Sequence, residues 1–142
     1  MRAYPVTLTP DRNGTIMATF VDVPEAVTVG NTEAEALQRS QDALVVALSG
    51  YVDGRREIPR PSRPRRGKST VAPPPMVTAK LAIYQAMRDQ GRTQAGLADL
   101  LGCDARQVRR LLDLNHNSRL DHVETALIAL GKRLVVEVRD AA

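Results

Sequence analysis

Prolines 73–75 follow one another directly, and they close a stretch, 55–75, that holds three more prolines and no long apolar run. Proline fixes φ and carries no backbone N–H, so no helix or central strand can run through such a stretch. Residues 55–68, "RREIPRPSRPRRGK", therefore read as an exposed loop in extended conformation, residues 69–72 as one short further strand, and the proline triplet as a stiff hinge. The 142 residues fall into two small pieces, 1–75 and 76–142. Each is small enough to be marginal alone and to gain from association.

The two pieces differ in charge. Residues 1–57 carry −3, residues 58–75 carry +5 with no acid among them, and residues 76–142 carry +2, for a net +4. An acidic front and a basic remainder imply different partners. Hydrophobic content of 43% supports two cores, and 3% aromatics makes them aliphatic. The single cysteine, Cys103, excludes an internal disulfide and fits a reducing, cytoplasmic setting. No stretch approaches the ~20 apolar residues of a membrane span, and Tyr4, Pro5, Thr7 and Asp11 interrupt any signal-peptide core.

In the first piece, Tyr4, Val6 and Leu8 alternate with Ala3, Pro5, Thr7 and Thr9, the pattern of a half-buried strand. Asn13-Gly14 is a hairpin signal, since both residues tolerate positive φ. A second alternating run puts Ile16, Ala18 and Phe20 on one face. Residues 26–29 form a short extended piece. Thr32 with Glu35 is a capping box that starts a helix, whose stripe of Leu37, Leu44, Leu48 and Val52 covers the sheet. The acids Asp11, Asp22, Glu25, Glu33 and Glu35 sit in turns and at the helix start rather than inside strands, so they do not converge as two-metal nuclease chemistry requires. With no His before residue 116 and no glycine-rich phosphate loop, this piece reads as a binding or association module, not an enzyme, and no cofactor is expected.

The second piece reads as helical: a helix over 77–90 with Ile83 and Met87 four apart and Ala79 and Ala86 nearby, then "TQAGLADLLGCDARQVRRLL" over 93–112. Thr93 and Asp104 are caps, Gly102 is the turn between two short helices, Ala98 is the small residue where they cross, and Leu97, Leu101, Val108 and Leu111 lock them. That is the pattern of a helix-turn-helix. It leaves Ala105, Arg106, Gln107, Arg109 and Arg110 near or on the outward surface of the second helix, where residues read bases in a major groove. Arginine pairs bidentately with guanine and glutamine with adenine. Gln94 at the start of the first helix suits a phosphate, with backbone N–H groups beside it, and Arg119 before the last helix is a further candidate. Leu120, Val123, Leu127 and Leu130 form a fourth stripe, and "RLVVEV", 133–138, a closing strand that pairs either within the chain or with its copy. His116 and His122 lack partners at ligand spacing, so no metal site is expected. One such helix reads only a half-site, which calls for a homodimer or homotetramer. The alternative is an ordinary helix-turn-helix regulator whose first domain only oligomerises or senses a ligand.

Residues 4–52 carry Asp22, Pro24, Gly30, Thr32, Glu35 and Ala36 in the register "D-x-P-x-x-x-x-x-G-x-T-x-x-E-A". This wording resembles the N-terminal domain of HicB antitoxins. The second half, including "RLDHVETALIALGKRLVVEV", resembles the helix-turn-helix form of that family. The resemblance implies an α+β chain: a partial ribonuclease-H-like domain without catalytic acids, followed by an all-α DNA-binding domain. It further implies a small HicA toxin as partner, an mRNA-cleaving ribonuclease of double-stranded-RNA-binding-domain fold whose active surface the antitoxin covers. It implies operator DNA as the second partner, through autorepression. It assigns no toxin-contact residue. The proline triplet and the basic loop depart from the family's usual connection.

Overall fold

The computed structural model describes residues 2–141. The chain divides into two compact units, Met1–Thr78 and Ala79–Ala142.

The first unit is a four-stranded antiparallel sheet with one helix on it. Strands β1 (Tyr4–Pro10), β2 (Ile16–Phe20), β3 (Val27–Gly30) and β4 (Thr70–Val71) lie in the order β3-β2-β1-β4. The alternation dictates the register: Val6 faces Phe20 and Leu8 faces Ala18, which puts the apolar set of both strands on one side. The hairpin is wider than the Asn-Gly pair predicts. Only Gly14 adopts positive φ, +76°, while the Gly14 N–H donates to Asp11 O and the Asp11 N–H to Thr15 O. Helix α1 (Glu33–Asp53) lies over the sheet with Ala36, Leu44, Leu48 and Val52 buried, and Leu37 only half-buried. Thr32 Oγ1 accepts from the Glu35 N–H as expected of its cap, but the Glu35 carboxylate turns to Arg39, 2.9 Å away, rather than back to the cap.

Residues 55–68 are less free than their composition suggests. Ile58 is buried in the core, and the Tyr4 hydroxyl, whose pKa burial pushes up, donates to Pro59 O at 2.7 Å. Ser62 donates through both its N–H and its hydroxyl to the Asp22 carboxylate, at 2.8 and 2.5 Å. The proline triplet likewise does more than stiffen the chain. Pro73 is buried, Pro74 O accepts from the Thr78 N–H, and Pro75 opens the next helix two residues earlier than predicted. The first helical position tolerates proline because its N–H would be unused there.

In the second unit, helix α2 (Pro75–Gln90) contributes Ala79, Leu81, Ile83, Tyr84, Ala86 and Met87 to the core. Helices α3 (Gln94–Leu101), α4 (Ala105–Leu112) and α5 (Leu120–Ala129) follow. One expectation fails here and one is narrowed. Leu120 is half-exposed rather than in the α5 stripe; Ala126 is buried with Val123, Leu127 and Leu130 instead. Residues 133–138 pair with no strand of their own chain among the described residues, which leaves pairing with a copy as the other alternative; Val135, Val136 and Val138 are exposed. No helix among the described residues is long and apolar enough to cross a membrane.

Candidate nucleic-acid interface

Helices α3 and α4 are eight residues each, too short to persist without caps and packing. Both are capped as the sequence predicts: Thr93 accepts from the Gly96 N–H and Asp104 from the Gln107 N–H, each at 2.9 Å. Gly102 between them has φ +66° and ψ +34°, a left-handed conformation in which a Cβ would be strained. Ala98 and Leu97 on α3, and Val108, Leu111 and Leu112 on α4, are buried. Leu101, expected in the lock, is half-buried.

This packing fixes which residues of α4 face water. Ala105, Arg106, Gln107, Arg109 and Arg110 are all exposed. Three guanidiniums on a two-turn helix form a basic face, and Arg109 and Arg110 also suit its last turn, where the helix dipole favours cations. Gln94 is half-buried at the first position of α3. Arg119 is engaged locally, with Nε and an Nη on the two Asp121 oxygens at 3.1 and 2.8 Å. Desolvation raises the Asp121 carboxyl, but Arg119 and His122 outweigh it and leave it below the usual carboxylate range. Arg119 is therefore a partly neutralised cation. Gln107, Arg110 and Arg119 come together with Cys103, His116 and His122 around an open cleft of about 390 Å³.

Sequence reading passed over the residue that holds this region in place. Lys80 on α2 is completely buried, and its Nζ donates to Arg110 O, Asp113 O and His116 O at 2.8, 2.8 and 2.7 Å. The ammonium sits on the carbonyls that end α4, as a cation should at a helix C-terminus, and it fixes the turn that follows. Burial pushes its pKa below the usual lysine range, and Asp113 opposes that shift. The signal was available: Lys80 lies three, four and seven residues before Ile83, Tyr84 and Met87, on the apolar stripe itself.

The five acids weighed for catalysis do not meet. Asp11 caps its own turn, Asp22 holds Ser62, Glu25 binds the Tyr51 hydroxyl at 2.8 Å, and Glu35 pairs with Arg39. Glu33 is exposed in the first turn of α1. Among the described residues no group of three or more His, Cys, Asp or Glu is placed to hold a metal ion.

A helix-covered antiparallel sheet joined to a helical unit with an arginine-bearing face defines a small two-unit α+β protein. Comparison with known proteins assigns it further. Residues 3–82 match the family described as "HicB_like antitoxin of bacterial toxin-antitoxin system". The chain is 40% identical over 131 residues to Antitoxin HicB 2 of Photorhabdus laumondii, covering 92% of each protein. It is 39% identical to Antitoxin HicB of Escherichia coli K12 over 92% of this chain and 95% of that one. It is 36% identical to Antitoxin HicB of Pseudomonas fluorescens over 90% and 88%. The chain belongs to the HicB-like antitoxin family of toxin–antitoxin systems.

Proposed function

We propose that this protein binds and neutralises a cognate HicA-type, mRNA-cleaving toxin through residues 1–75, and represses its own operon through a helix-turn-helix in residues 76–142. The observation that carries the second half is the α4 face: Arg106, Gln107, Arg109 and Arg110 exposed, with Val108, Leu111 and Leu112 fixing the helix behind them. A short capped helix of this kind enters a major groove with its N-terminal residues toward the base edges. Arg106 and Gln107 are the base-reading candidates, Arg109 and Arg110 flank them, and Gln94 with the α3 N–H groups serves a phosphate.

The family of the chain supports the first half. So does charge: residues 1–57 carry −3, which suits a basic RNA-binding partner and speeds its encounter. The partial ribonuclease-H-like reading of the sheet unit belongs to the same proposal, as a fold used for binding rather than catalysis. The protein acts in the cytoplasm as a homodimer or homotetramer, so that two α4 helices lie ~34 Å apart on a two-fold operator. The exposed backbone and valines of 133–138 are the contact available to a second copy.

Arg106→Ala or Arg109→Ala is expected to weaken operator binding by ~1–3 kcal/mol, about 5- to 150-fold, without reducing toxin neutralisation. Fluorescence anisotropy on operator DNA and growth rescue in cells expressing the toxin read the two effects. Loss of both functions at unchanged melting temperature would contradict the division of labour.

A further inference from the structure

Residues 60–68 hold Arg60, Arg63, Arg65, Arg66 and Lys68 and no acid. All five are exposed, and among the described residues none makes an ion pair or a side-chain hydrogen bond. Elsewhere in the first unit, Arg39 and Arg56 reach acids. A solvated spacer of such composition needs no anchoring, yet this segment is fastened at both ends. Before it, Ile58 is buried and Pro59 O is held by Tyr4; within it, Ser62 is clamped by Asp22. After it, Ser69 O accepts from the Val6 N–H and Thr70 pairs with Pro5 in the sheet. A turn closed from the Lys68 N–H to Arg65 O, with Gly67 at φ +80°, shapes the tip.

We propose that this fastened basic loop is a second DNA-binding surface, one that follows the phosphate backbone without reading sequence. Five unpartnered cations on a proline-restrained segment lose little freedom on meeting a regularly charged rod, and each phosphate neutralised releases counterions. The acidic face of a protein is a poorer match, because the loop has no apolar anchor to accompany its charge. Duplex DNA is the polyanion favoured here because the proposal rests on the DNA-binding reading of α4. Covalent connection then keeps the loop at high effective concentration near the duplex.

The test compares the full-length protein with Arg63→Gln/Arg65→Gln/Arg66→Gln and, in parallel, Arg106→Ala, on operator and random-sequence duplexes across a salt series. All substituted residues are exposed, so circular dichroism melts are expected to coincide. The triple variant is expected to lose about tenfold or more in affinity for both duplexes and to reduce the slope of log K against log salt by ~2–3 per DNA-bound protomer. Its preference for operator over random DNA is expected to persist, whereas Arg106→Ala is expected to reduce that preference about tenfold. An unchanged slope in the triple variant, with Arg106→Ala defective, would overturn the loop's role and leave the α4 reading standing. A reduced slope with Arg106→Ala unaffected would sustain the loop and sink the α4 reading. Absence of duplex binding by the unmodified protein would overturn both. A triple variant that fails only on single-stranded RNA, or only in toxin neutralisation, would also overturn the proposal.

Discussion

Gly30→Ala is expected to destabilise the sheet unit by about 3 kcal/mol, the upper end of what overpacking typically costs. Gly30 is buried at the end of β3, where the chain turns into α1. A Cβ there would lie 2.4 Å from Ala36 N and 2.9 Å from both Ala36 Cα and Glu35 C. These are backbone atoms of the first turn of α1, so no rotamer change relieves the clash. The helix would have to lift from the sheet, and Ala36, Leu44 and Leu48 would lift with it. A domain's whole stability is roughly 5–15 kcal/mol, so the loss is a large fraction of it. Calorimetry is expected to show the transition of the sheet unit moved down with that of the helical unit in place. Neutralisation is expected to fall at growth temperature. A variant that melts like the unmodified protein would show that α1 does not approach β3 this closely.

Lys80→Met is expected to cost the helical unit about 3 kcal/mol. Methionine matches the apolar stem of lysine out to Cε but supplies no donor to Arg110 O, Asp113 O and His116 O. Hydrogen bonds from a charged donor are worth ~1.5–3 kcal/mol each, offset by the desolvation of the ammonium. The loss is moderated because Arg110 O and Asp113 O keep the Asp113 and His116 N–H groups at 3.3 and 3.1 Å. The end of α4 and the turn after it are expected to loosen first, which hydrogen exchange reads residue by residue. Toxin neutralisation is expected to survive. Unchanged exchange at 110–118 would mean that the ammonium merely occupies space.

What was legible in the sequence was local. Thr32, Thr93 and Asp104 cap because a short side-chain oxygen before a helical run satisfies a free N–H wherever it occurs. Gly102 turns because left-handed φ after a helix selects glycine. The outward row on α4 follows from the same arithmetic, since Val108, Leu111 and Leu112 must face in. What was missed depends on residues far apart in sequence. Pro59 meets Tyr4 across 55 residues and Ser62 meets Asp22 across 40, so a segment that reads as free loop is fastened. Lys80 stands on an apolar stripe that is legible, but the carbonyls that make its burial tolerable lie 30 to 36 residues on. The 133–138 segment has strand composition, but a strand exists only with a partner, and the described residues of this unit supply none within the chain.

The central claim is that one chain divides neutralisation and repression between its two units. The most direct measurement expresses a cognate HicA-type toxin with either the full chain or its Arg106→Ala/Arg109→Ala variant, while a reporter reads the operon's promoter. Both proteins are expected to restore growth, and only the unmodified chain to silence the reporter. A variant that still represses, or a full chain that leaves growth arrested, would contradict it.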